Sequence, residues 1–516
     1  MLRIGVDVGG TNTDAVLMEN SDVKNSCKTP TTPDVMTGVL NALNTVLESS
    51  GVDRSQVDAV MIGTTHFTNA VVQRQSLAPT AAVRLGLPAT SSLVPMVDWP
   101  EDLRQLIGNH YALAHGGNEF DGRKISEIDS DELKKIAAEI AAKNIKAVAI
   151  SAVFSPVNTD MEQEAKTVLE QELPDVHFSL SSDIGRVGLL ERENAAIMNA
   201  CLRELSDSTI NAFKQALTNA GLSSSFYLTQ NDGTLMSEDQ ARKFPVLTFA
   251  SGPTNSMRGA AFLSGLKDAV VIDIGGTTTD VGALQKGFPR QAGIAVEVGG
   301  VRTNFRMPDV FSIGLGGGSH VHGEEKSIKV GPQSVGYRLN EQAQIFGGTT
   351  LTASDIAVAA GMANFGDLNK VSGLSSELIN AAVFRIQEML SVAAERMRLS
   401  PEPIPVIAVG GGSIFVKEKI GDLPVHRPDN HAVANAVGAA IAQISGEVDR
   451  VYALTEQSRD KVLDEAKAEA IDKAEEAGAK RDTVEIVDVE DVPLAYLPGN
   501  ATRVRVKAVG ELDGIS

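Results

Sequence analysis

The chain is predicted to fold as an α/β protein of two similar halves facing a shared cleft, with a small α+β segment at its C-terminal end. Three observations lead there. The phrase DVGGTNTD beginning at Asp7 returns far downstream as DIGGTTTD beginning at Asp273. Each copy follows a short apolar run, Leu2 to Val6 and Ala269 to Ile272, which places an acidic residue and a Gly-Gly-Thr turn at the end of a buried strand. Around both copies, strand-like apolar runs alternate with helical periodicity, the pattern of an α/β fold.

In the first part, Asp34 to Glu48 has helical periodicity, Ala59 to Ile62 reads as a strand, Asp131 to Lys143 as a helix, Ala147 to Phe154 as a strand and Thr159 to Leu173 as a helix. A long helical stretch, Gly188 to Ala220, bridges to the second half. There a strand is expected at Val246 to Phe249, then a helix from Pro253, where proline suits a first turn, then the Asp273 hairpin. Helices at Ser375 to Arg398 and His431 to Ser445 flank a glycine-rich turn at Gly410. After Asp449, a charged helix from Glu456 to Gly478 and short strands at Val484 to Val489 and Thr502 to Val506 make the α+β appendage, the charged face being a solvated surface. The expected boundaries are 1–187, 188–447 and 448–516.

Length and composition fit a soluble enzyme of two or three domains. Cys27 and Cys201 stand far apart and neither belongs to a CxxC pair, which argues against a disulfide framework, a zinc knuckle or an iron–sulfur cluster. A formal charge of −20 disfavours nucleic acid and anionic membrane as partners. MLRIGVDVGG has no basic segment followed by an apolar core, and no apolar run would span a bilayer, so a cytoplasmic location is expected.

The echoed hairpins carry chemistry. Glycines let backbone N–H groups approach phosphate oxygens, threonine hydroxyls add donors, and an aspartate can hold magnesium directly or through water. In this reading Gly9, Gly10, Thr11, Asn12 and Thr13 cradle one side of a polyphosphate, Gly275, Gly276, Thr277 and Thr278 the other, and Asp7 and Asp273 organise Mg2+. Asp14 and Asp280 close the two motifs, either as direct participants in catalysis or as hairpin residues capping backbone N–H groups. A third apolar strand, from Val406, ends in Gly410, Gly411, Gly412 and Ser413, where an adenine ring could lie flat against backbone. In this order the three segments resemble the phosphate 1, phosphate 2 and adenosine motifs of the actin-like (ribonuclease-H-like) ATPase superfamily, which implies ATP in the cleft.

A narrower resemblance rests on longer segments. GTTHFTNAVVQR from Gly63, ERENAAIMNACL from Glu191, GTLMSEDQARKFPVLTFASGP from Gly233, SIGLGGGS from Ser312 and KVGPQSVG from Lys329 resemble the hydantoinase A and 5-oxoprolinase family, from the start to about Ile441. The resemblance implies ATP-dependent opening of a cyclic amide such as a hydantoin, 5-oxoproline or another lactam. It also implies an A-type chain that works with a B-type second subunit. Physically, an unstrained lactam resists water through amide resonance, and phosphorylating its carbonyl oxygen would remove that protection.

In that family the glycine-rich cluster binds substrate or metal, which puts Gly316, Gly317, Gly318, Ser319, His320 and His322 on the substrate side. The family's Asp-x-His before this cluster is Asp309-Val-Phe311 here, and its PGPACYG segment is replaced by residues 338–346. His320 and His322, two apart, could share a face and with Asp309 hold a second divalent metal, or they could be loop histidines. His66, His110 and His115 are joined by no convincing spacing. Three other readings remain at this level: a subunit of an ATP-dependent carboxylase, a small-molecule kinase, and a nucleotide-gated binding module.

Overall fold

The strand Leu2–Val8 turns back through Asn12–Glu19 and Asp22–Pro30 as an antiparallel meander, and Ala59–Thr64 and then Ser225–Thr229 add in parallel on its other side. The second half repeats these steps. Ala269–Ile274, Thr279–Gln285 and Phe288–Pro289 form the meander, and Val406–Val409 and Leu423–His426 add in parallel. The inner parallel strands Ala59–Thr64 and Val406–Val409 are buried along their whole length, as strands covered on both faces must be. This duplicated connectivity is the two-domain actin-like arrangement, and the computed structural model describes it over residues 1–513, apart from 33, 121, 294–295, 324–326, 399–401, 403, 455–457 and 495–499.

Sheet membership departs from the expected boundaries. The strands Ser225–Thr229 and Thr234–Ser237, beyond residue 188, belong to the first sheet. The C-terminal segment has its expected helix and strands, but they do not stand apart. Gln443–Ala453 and Ala501–Gly510 pair antiparallel along their length and extend the first sheet beyond Thr234–Ser237 to nine strands. The helix Arg459–Glu476 covers them with Val462, Ala466, Ala470 and Ala474, a buried stripe at four-residue spacing. A short ribbon and one helix bury too little to stand alone, and the open sheet edge supplies the missing hydrogen bonds.

A further unit sits inside the first half. Thr80–Leu87, His110–His115, Ala147–Ala152 and His177–Leu180 form a separate four-stranded parallel sheet with its own apolar core. It is anchored by Arg84, fully buried, whose Nε donates to Glu193 Oε2 at 2.7 Å, while Ser151 Oγ donates to the same oxygen at 2.6 Å. Three local expectations change. The strand expected at Val246 to Phe249 is a single helical turn, Pro245–Thr248, because Pro245 has no N–H and the Thr248 hydroxyl donates back to its carbonyl. The bridge is two helices, Leu189–Cys201 and Arg203–Asn219. The helix expected from His431 to Ser445 ends at Ala440, and Gln443 already begins a strand.

Two helices cross between the duplicated sheets, Ser251–Ser264 and Ala434–Ala440. Their backbones touch through glycines. A Cβ on Gly438 would lie 1.8 Å from the Asn255 carbonyl oxygen, and one on Gly259 would lie 1.8 Å from that of Ala434. Among the described residues no helix is long and apolar enough to cross a membrane.

The crossing gives a testable cost. Gly438→Ala should destabilise the protein by about 1–3 kcal/mol, since the helices must part to admit a methyl group. Gly373→Ala, where a Cβ meets nothing within 4 Å, should stay within about 0.5 kcal/mol of wild type. Urea unfolding of both variants checks this, and equal midpoints would contradict a close crossing.

Candidate functional site

Both echoed turns are closed by the same bond: Gly9 N–H donates to the Asn12 carbonyl at 3.0 Å and Gly275 N–H to that of Thr278 at 2.9 Å. The tips meet, with Thr11 Oγ1 and Thr277 Oγ1 3.3 Å apart. They border a cleft of about 520 Å³ lined by Gly9, Gly10, Thr11 and Asn12 on one side and Gly275, Gly276, Thr277 and Thr278 on the other. Gly410, Gly411 and Gly412 form a further wall. Gly410 has φ +82°, and a Cβ there would come within 2.3 Å of Asp273 Oδ1, so only glycine lets this turn approach the carboxylate. Gly411 has nothing within 4 Å of a notional Cβ, which leaves its face open. Thr13 and Ser413 are buried and do not line the cleft.

The four aspartates occupy matched positions. Asp7 faces Asp14 across the first hairpin and Asp273 faces Asp280 across the second. Asp14 and Asp273 line the cleft, with Asp7 buried beneath the first turn. Asn255 Nδ2 donates to Asp7 Oδ1 at 3.2 Å, and Asn435 Nδ2 donates to both Asp7 Oδ2 at 3.0 Å and Asp14 Oδ2 at 2.8 Å. Ser256 Oγ donates to Asp273 Oδ2 at 2.5 Å. Burial, reinforced by Asp14, raises the Asp7 carboxyl to about 6 against these amide donors. Burial also raises Asp273, opposed by the Ser256 hydroxyl.

The strand that faces each closing aspartate distinguishes the copies: it is Asp22–Pro30 in the first half and Val310–Ile313, which pairs with Thr279–Gln285, in the second. Opposite Asp14 stands Lys28, whose Nζ donates to Oδ1 at 2.6 Å and Oδ2 at 2.7 Å. Opposite Asp280 stands Ser312, which gives a neutral hydroxyl. Burial raises Asp280 to about 6, opposed by that hydroxyl and assisted by Asp273.

The glycine cluster serves the second hairpin. Gly317 N–H donates to the Gly275 carbonyl at 3.0 Å and Gly318 N–H to that of Gly276 at 2.7 Å, while a Cβ on Gly316 would lie 2.5 Å from Thr277 N. Of the expected substrate residues only Gly317 lines the cleft; Gly316, Gly318 and Ser319 are buried behind it. His320 and His322 lie on the strand Ser319–His322, outside the cleft lining, with His322 exposed. Asp309 pairs with Arg290 at 2.6 Å. The structure therefore does not gather Asp309, His320 and His322 into the expected second metal centre. Among the described residues no three His, Cys, Asp or Glu side chains are placed to hold a metal ion.

Residues that the sequence reading did not single out complete the site: Lys28, Asn69, Gln73, Asn255, Ser256 and Asn435. Asn69 lies within GTTHFTNA, and Asn255 and Ser256 come one residue after the SGP of the Gly233 segment, so those motifs pointed at the right stretches without saying which side chains act. A larger cavity, about 930 Å³, lies between residues 182–187, the Gln230–Asp232 turn and the strand Gln443–Ala453, and none of the echoed residues line it.

The unpaired second hairpin has a pH signature. A carboxyl harder to ionise folded than unfolded binds more protons in the folded state between about pH 4 and 6, so stability falls as pH rises through that window and levels off above it. Asp280→Asn, which cannot ionise, should be about 1–2 kcal/mol more stable than wild type at pH 8, partial exposure reducing the full linkage. The gain should vanish below about pH 4. Urea midpoints across this range test it, and a variant less stable at pH 8 would contradict it.

Family models for the hydantoinase/oxoprolinase N-terminal region and for hydantoinase/oxoprolinase match residues 3–173 and 192–404. The acetophenone carboxylase gamma subunit of Aromatoleum aromaticum is 25% identical over 519 residues, covering 88% of this chain and 69% of its own length. The caprolactamase subunit alpha of Pseudomonas jessenii is 25% identical over 465 residues, covering 85% and 65%. The chain thus spans about two thirds of the length of these curated relatives. The crystal structure of the ATP-dependent caprolactamase from Pseudomonas jessenii aligns with a TM-score of 0.79 at 19% identity, over 99% of this chain and 88% of that one, and so has the same fold. With its two halves matched in order and its echoed hairpins meeting at one cleft, the chain belongs to the hydantoinase/oxoprolinase family.

Proposed function

We propose that this chain binds ATP with Mg2+ between its two hairpins and uses it to open a cyclic amide, such as a hydantoin, 5-oxoproline or another lactam, as the A-type partner of a second subunit. The observation that carries the nucleotide part is the meeting of three glycine turns, residues 9–12, 275–278 and 410–412, around one cleft. Those turns have the features polyphosphate needs: backbone without obstructing side chains, threonine hydroxyls at both tips, and carboxylates beneath for a hydrated magnesium ion. Magnesium, when bound, supplies charge neutralisation for the phosphates, and Asp7 and Asp273 are the residues that would hold it. Asn255, Ser256 and Asn435 keep those carboxylates aimed.

The amide part draws on the family and on the caprolactamase relative. The lactam carbonyl oxygen would attack the terminal phosphorus and ADP would depart, leaving the ring carbon bonded to a phosphorylated oxygen. Water adds there, its proton passes to the ring nitrogen as the C–N bond breaks to leave an acyl phosphate, and a second water attacks that carbonyl carbon and releases inorganic phosphate and the free carboxylate. ATP is thereby spent on removing amide resonance. A second reading, a subunit of an ATP-dependent carboxylase, is favoured by the acetophenone carboxylase relative over 88% of this chain. There the same cleft would phosphorylate a ketone enol or bicarbonate. A cytoplasmic location fits either reading.

Phosphate release by the chain with its genetic-neighbour subunit, across hydantoins, lactams and ketones with and without bicarbonate, separates the two. The amide reading expects about one phosphate per ring opened, no bicarbonate requirement, and little release without substrate. Turnover that needs bicarbonate would establish the carboxylase, and a stable phosphoester product a kinase. A folded Asp7→Ala, Asp273→Ala double variant should lose at least about a hundredfold in turnover, given the loss of two magnesium-organising groups. Unchanged turnover in that variant would refute the site.

A further inference from the structure

Among the described residues that line the 520 Å³ cleft, Lys28 is the one cation, and it stands among carboxylates. Its ammonium spends two donors on Asp14, at 2.6 and 2.7 Å, and an ammonium has three. The Lys28 side chain is 34% exposed whereas that of Asp14 is 3% exposed, so the pair is anchored at the acid end and open at the basic end. Asn435 fixes Asp14 from the other side at 2.8 Å. The lysine is also close enough to Asp273, on the opposite hairpin, to favour that carboxylate's ionised form. A held base, a free N–H and a position near both hairpins are what a phosphate contact requires. The second hairpin has nothing equivalent, because Ser312 occupies the matching place opposite Asp280.

We infer that Lys28 is a phosphate-binding residue, that its free N–H meets the part of a nucleotide's phosphate chain lying between the two hairpin turns, and that Asp14 positions it. The inference rests on the nucleotide reading above and deepens it. The consequence is discrimination: the contact is made to a long phosphate chain and not to a nucleoside monophosphate. Asp14 is then a positioning residue that acts through Lys28, which divides its role from that of Asp7 and Asp273.

The alternative is that Lys28 does no more than neutralise a buried Asp14, and a double variant separates the two. The dissociation constants of Mg·ATP and AMP are measured calorimetrically for wild type, Lys28→Met, Lys28→Arg and the Asp14→Asn, Lys28→Met double variant. Lys28→Met should weaken ATP about tenfold or more, the scale of a lost hydrogen bond to a charged group, and AMP less than about threefold. The double variant, which leaves no unpaired buried charge and so tolerates folding better, should show the same loss. Lys28→Arg should recover part of it. Restoration of wild-type ATP preference in the double variant would reduce Lys28 to a neutralising role and overturn the inference, as would an unchanged ATP-to-AMP ratio in Lys28→Met. A wild-type protein that binds no ATP would instead overturn the nucleotide reading on which the inference stands.

Discussion

Asp7 and Asp273 belong to different sheets, yet they are held by neighbouring residues of one helix, Asn255 and Ser256. Successive side chains on an α-helix diverge by about 100°, so a helix lying between two sheets can address both from adjacent positions. The arrangement demands that this helix come very close to its crossing partner, whose Asn435 grips Asp7 and Asp14 together. Glycines at 259 and 438 permit that approach. The relative placement of the two hairpins, the width of the cleft and the aim of the carboxylates all follow from this crossing. Any closure of the two halves has to move it.

The duplicated halves have diverged where charge matters. In the first half the residue opposite the closing aspartate is a lysine; in the second it is a serine on the strand Val310–Ile313, and the cluster 314–319 packs against that hairpin instead. One hairpin is compensated by a cation and the other by dipoles. With a nucleotide bound as proposed, two turns of unequal charge would treat the two ends of its phosphate chain differently, which a symmetric pair could not. The glycine cluster that looked like a substrate loop is in large part the backing of the second turn, its small residues required by backbone contact with Gly275, Gly276 and Thr277.

Much of this was legible in the chain. The echo at Asp7 and Asp273 specifies a strand, a turn and a returning strand twice over, and glycine turns at strand ends leave few places to meet except a shared cleft. The inserted four-stranded sheet was half read: Ala147 to Phe154 and its flanking helices stood out by periodicity, but which strands they pair with is a long-range matter that local pattern does not carry. The same holds for the C-terminal strands, found by their alternation and yet assigned to an appendage, because an unsatisfied sheet edge hundreds of residues away leaves no local mark. Lys28, Asn255 and Asn435 are single polar residues in ordinary surroundings. Their role comes from register and helix crossing, which appear only in three dimensions. His320 and His322 do share a strand, as their spacing suggested, but that strand lies outside the cleft.

The central claim is that a nucleotide lies between the two hairpins, and the most direct measurement is a crystal structure of the protein with magnesium and a non-hydrolysable ATP analogue. The account predicts phosphates between the Gly9–Asn12 and Gly275–Thr278 turns, with the base against Gly410–Gly412. Nucleotide bound instead in the larger cavity beside Arg306 and Glu447, with the hairpin cleft holding none, would contradict it.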